Sequence, residues 1–85
     1  MIWTVDVAKP AQKQLARLPV RDNERVASAI REMEDDPFRG DTIKLKGGQD
    51  LWRRRVGRYR IFFEVDIRAR RVAVASVLRR TSTTY

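Results

Sequence analysis

The sequence predicts an α+β fold of order β-α-α-β-β-β, in which two helices pack on one face of a small antiparallel-rich sheet. Three observations lead there: an alternating apolar segment opens the chain, two proline-bounded segments with helical spacing follow, and three alternating runs occupy residues 51–78. With 85 residues, the chain makes a single domain, 1–85, with a modest core.

Residues 2–7, IWTVDV, place Trp3, Val5 and Val7 on one side, the period of a half-buried strand. Residues 8–19, AKPAQKQLARLP, space Ala8, Ala11, Leu15 and Leu18 as a helical stripe. Pro10 falls where a first turn tolerates it, and Pro19 closes the segment. RDNERVASAIREMEDDP, 21–37, is a second helix with Asp22 or Asn23 as its cap, Val26, Ile30 and Met33 buried, and Pro37 as its stop. Glu34, Asp35 and Asp36 at its end read as solvated surface rather than a metal site. FRGDTIKLKGGQD, 38–50, is a glycine-punctuated connection with a short extended piece at 43–45. Strands follow at 51–56, 59–66 and 71–78.

Gly57 followed by Arg58 suits a two-residue type II′ turn, which wants glycine first. Arg55 then opposes Arg60, Arg54 opposes Ile61, Arg53 opposes Phe62 and Trp52 opposes Phe63. One side of the hairpin is Trp52, Val56, Tyr59, Ile61, Phe63 and Val65, which must meet the helices, with Arg54 as its odd member at the rim. The other side is Arg53, Arg55, Arg60, Phe62 and Glu64. A four-residue loop at 67–70 pairs Val65 with Val72, Phe63 with Val74 and Ile61 with Ser76. That register sends Val72, Val74 and Leu78 to the core. Ala73, Ala75 and Val77 go to the open face, with Arg79 at the strand end.

The formal net charge is +8. Residues 1–50 carry nine basic and nine acidic side chains, whereas 51–85 carry ten arginines, no lysine, and only Glu64 and Asp66. The whole excess is therefore guanidinium, which forks onto phosphate and stacks on bases as an ammonium cannot. Nucleic acid or an acidic protein is the implied partner. Like charges directly opposite in an antiparallel pair cost about 0.2–1 kcal/mol, which a bound phosphate would offset between Arg55 and Arg60. Two arginines splayed into water are the alternative.

The chain has no cysteine and no histidine, which removes disulfides, thiol catalysis, the commonest general base and the commonest metal ligand. No apolar run approaches the ~20 residues of a membrane span. The opening MIWTVDVAKP meets Asp6 and Lys9 too soon for a signal pattern. A cytoplasmic location without a membrane partner is expected.

IKLKGG, then LWRRRVGRYRIFFEVD, a Val/Ala strand and VLRRTSTTY resemble the RelE/ParE superfamily of bacterial type II toxin–antitoxin toxins, its RelE-like branch above all. AQKQLARLP matches the family's first helix, and the resemblance covers essentially the whole chain. It implies two helices on a curved antiparallel sheet and cleavage of messenger RNA at the ribosome. It also implies inhibition of growth, no cofactor, and a cognate antitoxin with an acidic or amphipathic segment. Carried over by position, the family's strand-borne basic residues fall on Arg53 and Arg55, the arginine of its YR strand on Arg60, its post-strand arginine on Arg80 and its terminal tyrosine on Tyr85. Arg79 stands where the family often has histidine. Gly47 and Gly48 replace any carboxylate just after Lys46.

Under that resemblance Arg60, Arg80 and Tyr85 are the catalytic candidates. Arg53, Arg55 and Arg79 bind phosphate; Lys44 and Lys46 either extend the phosphate track or belong to a solvated loop. A phenol titrates near ~10 in water, and surrounding guanidinium charge favours phenolate, so Tyr85 is a general base or a stacking platform. Glu64 is either a back-up base or a salt-bridge partner of Arg53 or Arg55. Phe62 is a stacking surface for a base or ordinary aromatic surface. Two other activities compete: a ParE-like poison of DNA gyrase, and a catalytically silent RNA-binding module.

Overall fold

The computed structural model describes residues 2–47 and 50–80. Along the chain come β1 (Thr4–Val7), α1 (Lys9–Ala16), α2 (Val20–Glu32), β2 (Thr42–Lys44), β3 (Leu51–Val56), β4 (Tyr59–Asp66) and β5 (Arg71–Arg79). They form one sheet in the order β1-β5-β4-β3-β2. Every neighbouring pair is antiparallel except β1 and β5, which run parallel with Val5 beside Val72. The expected extended piece is thus a true edge strand, beginning at Thr42 rather than at residue 43, with Ile43 opposite Arg53.

The core lies between the helices and one face of the sheet. Ala11 from α1, with Val26, Ala29 and Ile30 from α2 and Met33 just beyond it, meets Tyr59, Ile61, Phe63 and Val65 from β4. Val72, Val74 and Val77 of β5 complete it. Trp3, Leu15, Leu18, Trp52 and Val56 pack at its margins, while Ala8 is exposed just before α1 begins. α1 ends at Ala16, ahead of Pro19. α2 ends at Glu32 rather than at Pro37, because the amides of Met33, Glu34 and Asp35 bond three residues back and tighten the last turn. Its cap is not the expected one either. Pro19 holds the cap position without a side-chain bond. Asp22 and Asn23 fall inside the first turn and are used elsewhere: the Asn23 amide donates to the Leu15 carbonyl at 2.8 Å, tying α2 to α1.

The β3–β4 hairpin has the expected register from Val56–Tyr59 to Trp52–Phe63. Gly57 takes φ +58 while Arg58 keeps a negative φ, the combination a type II′ turn needs. The β4–β5 register departs from expectation. Val65 does face Val72 and Phe63 does face Val74, but a bulge follows, so Phe62 faces Ser76, Ile61 faces Val77 and Arg60 faces Leu78. One extra residue reverses the alternation. Val77 enters the core, fully packed, and Leu78 emerges beside Arg60, 45% exposed.

An extra residue in one strand disrupts the ladder locally. Here α1 supplies a partner: the Val77 amide donates to the Gln14 side-chain oxygen at 2.7 Å. Gln14→Ala is expected to lower the unfolding free energy by about 1–2 kcal/mol, the cost of a stranded amide. Gln12→Ala, which removes an exposed bond to the Val7 carbonyl, should cost less than about 0.5 kcal/mol. Urea titrations with matched slopes measure both.

Candidate nucleic-acid interface

Alternation along β3 separates three consecutive arginines by environment. Arg54 points toward the helices, where its guanidinium donates to the Glu32 carboxylate at 2.7 Å and to the Ala29 carbonyl at 3.3 Å. Its side chain is only 11% exposed, so it is locked inside the fold rather than lying at the rim. Gly40, at φ +81, packs against it: a Cβ there would stand 3.0 Å from the guanidinium nitrogens. Arg53 and Arg55 point the other way, onto the face the helices leave uncovered.

That face consists of cross-strand rows. Arg55, Arg60 and Leu78 form one row; Arg53, Phe62 and Ser76 form the next; Leu51, Glu64 and Ala73 form the third. Arg55 is exposed and has a partner outside the hairpin, with its Nε 3.3 Å from the Asp41 carboxylate and its amide bonded to the Asp41 carbonyl. Arg53 and Arg60 are half-buried, and among the described residues neither side chain has a hydrogen bond or ion pair. Their Nε atoms are closed to solvent without a partner among the described residues. The same is true of Arg54 Nε and Trp52 Nε1 on the helix side, and Arg53 and Arg60 each keep part of the side chain in contact with solvent. A buried, unpaired donor costs about 1–3 kcal/mol, and a bound anion is the kind of partner that would relieve it.

The remaining candidates scatter. The bulge puts Arg79 opposite Tyr59, on the helix side of the sheet instead of the open face. The Arg80 amide bonds the Arg58 carbonyl, and alternation from Leu78 returns Arg80 to the side of Arg60. Lys44 stands opposite Trp52, away from the open face, and pairs with Asp50 at 3.4 Å. Lys46 is exposed in the following loop. Glu64 does lie on the open face, yet it is exposed and forms no ion pair with Arg53 or Arg55 among the described residues. It borders a recess of about 400 Å³ that Asp6, Asp50, Asp66 and Arg71 also line. The open face is basic toward the hairpin turn and acidic at its far end. Tyr85 lies outside the described residues.

Two polar ties were missed from the sequence. Tyr59 donates its hydroxyl to the Asp22 carboxylate at 2.7 Å. That bond, with burial and the Asp22 charge behind it, raises the phenol above its ordinary range and holds it as a donor. The Arg54 hydrogen bond holds Glu32 below the usual carboxylate range, against the opposing effect of burial. An arginine on the apolar side of a strand was itself the signal that a helix had to supply an acid.

The family model for the ParE toxin of type II toxin–antitoxin systems, parDE, matches residues 5–83, and the chain belongs to this family. It is a toxin of a type II toxin–antitoxin system, within the RelE/ParE superfamily. No curated protein is similar enough to the chain to count as a match. Among solved structures, the chain is similar to the archaeal RelE–RelB complex from Pyrococcus horikoshii OT3. Identity there is 27%, TM-score 0.87, and coverage 98% of this chain and 100% of that one. The RelB–RelE complex from Methanococcus jannaschii gives 28%, TM-score 0.73, and coverage of 87% and 88%. The isolated E. coli RelE toxin, at 22% identity and TM-score 0.80 over 95% of this chain and 87% of that one, shares the fold.

A carboxyl whose value is depressed by folding adds stability above its unfolded value and loses it as pH falls through the folded one. The stability advantage of wild type over Glu32→Gln is therefore expected in full at neutral pH. It should shrink as pH is taken below the ordinary glutamate value of about 4.3, as read from urea midpoints across that range.

Proposed function

We propose that this toxin is a metal-independent endoribonuclease that cuts translated messages at the ribosome. RNA carries its own nucleophile. The 2′-oxygen attacks the adjacent phosphorus as the bond to the 5′-oxygen breaks, leaving a 2′,3′-cyclic phosphate and a 5′-hydroxyl. The protein's tasks are to hold that oxygen in line, to stabilise charge on the non-bridging oxygens, and to move one proton at each end. Arg60 and Arg80 stabilise the transition state, while Arg53 and Arg55 hold flanking phosphates. Tyr85 takes the 2′-proton. Glu64, one row beyond Phe62 toward the acidic end, is the reserve base.

The observation that carries this reading is Arg53 and Arg60 on adjoining rows of the face away from the helices, with Nε donors unmatched among the described residues. A face built for solvent alone gains nothing from that arrangement. A cognate antitoxin, like the RelB partners of the archaeal RelE chains, would restrain the toxin by laying an acidic segment that folds on binding over the same arginines. The ParE name of the matching family supports a second reading, a poison of DNA gyrase that needs no RNA-cleaving group.

Induction of the toxin in bacteria followed by transcript-end mapping separates the two. Codon-linked cuts are expected in wild type, reduced about 10²–10³-fold in Arg60→Ala, the range for removing one preorganised oxyanion donor. Intact transcripts with a DNA-damage response would establish gyrase poisoning instead.

A further inference from the structure

Phe62 sits mid-strand on the central strand of the sheet, on the open face, half-buried. Arg53 stands across from it on β3, Ser76 on β5, and Arg60 two residues along its own strand. The two arginines have solvent-closed Nε atoms although neither lies on the helix side of the sheet. On the β5 side Ser76 lies directly across, with Ala73 and Leu78 on the diagonals. Ser76 and Ala73 are too small to cover a phenyl ring, and Leu78, 45% exposed opposite Arg60, borders it toward the turn. An aromatic surface is left with guanidinium on the β3 side and a largely open β5 side.

We infer that Phe62 is the stacking platform for one nucleobase of a bound single-stranded RNA, with Arg53 and Arg60 holding the phosphates on either side of that nucleotide. The inference rests on the RNA-directed reading proposed above and specifies how the substrate lies. Base–aromatic stacking tolerates any base, because each has a π-face. Rows on one face of a strand are about 6.6 Å apart, so ring and guanidinium groups belong to adjoining parts of one nucleotide step. The far end holds Asp6, Asp50, Glu64 and Asp66, two of them paired with Arg71 and Lys44, and so attracts a polyanion less than the arginine rows do. The RNA therefore crosses the strands along the Arg55–Arg60 and Arg53–Phe62 rows instead of running down β4.

The test uses the full-length toxin and 2′-O-methyl hexaribonucleotides, which resist attack by the 2′-oxygen, each carrying a single 2-aminopurine. Wild type is expected to quench the probe at one position. Phe62→Leu abolishes that quench and weakens binding about 5- to 150-fold, the range for one lost base–aromatic stack. Phe62→Trp retains both. Arg60→Ala weakens binding and lowers its salt dependence yet leaves the quench. A quench that survives Phe62→Leu, binding with no quenched position, or no binding at all overturns the platform. The nuclease is scored separately by transcript ends. Unchanged cutting in Phe62→Leu beside an unquenched probe removes the platform alone, whereas intact transcripts beside a quenched probe remove the nuclease alone.

Discussion

The turn at Gly57 and Arg58 is two residues long, and its geometry leaves no freedom in how β3 lies against β4. A left-handed φ at Gly57 closes the hairpin with the twist the strands need. Sliding either strand by one residue would carry Ile61 and Phe63 out of the core and Arg60 and Glu64 into it. The burial of that apolar set therefore holds the arginines of the open face in place. Nothing on the open face has to attract them there, and like charges at Arg55 and Arg60 can be tolerated because the core behind them fixes the register.

Three adjacent arginines show what that register does to one residue type. Arg54 ends in a half-buried ion pair with Glu32, Arg55 leans on Asp41 near the edge strand, and Arg53 has no partner among the described residues. Arg54, with Tyr59 and its bond to Asp22, fastens α2 to the hairpin at two points, near the helix start and near its end. Such ties contribute more to position than to net stability, since a buried pair must first offset its own desolvation. They fix the hairpin to the helix at both ends of α2.

The bulge in β5 is the second device that shapes that face. It exchanges Val77 for Leu78 across the sheet, gives Phe62 a small neighbour in Ser76, and sends Arg79 to the helix side. Gln14 from α1 accepts the Val77 amide beside the bulge. A helix on one side of the sheet thus helps to decide which side chains emerge on the other. The open face is basic near the turn, while Asp6, Glu64 and Asp66, with Arg71, occupy its far end.

Alternation and the glycine-first turn made the hairpin register, the two helices and the grouping of Arg53, Arg55 and Arg60 legible from the sequence, because local stereochemistry and burial act there in the same direction. Family resemblance likewise rested on residues contiguous in the chain. The bulge was not legible: Ala75, Ser76 and Val77 are compatible with either phase, and only packing Val77 against the helices, with Gln14 in reach of its amide, selects one. The parallel seat of β1, the partners of Arg54 and Tyr59, and the side on which Arg79 emerges were decided in the same way. Each depends on residues far apart in the chain, whose meeting is set by the tertiary fold rather than by any local preference.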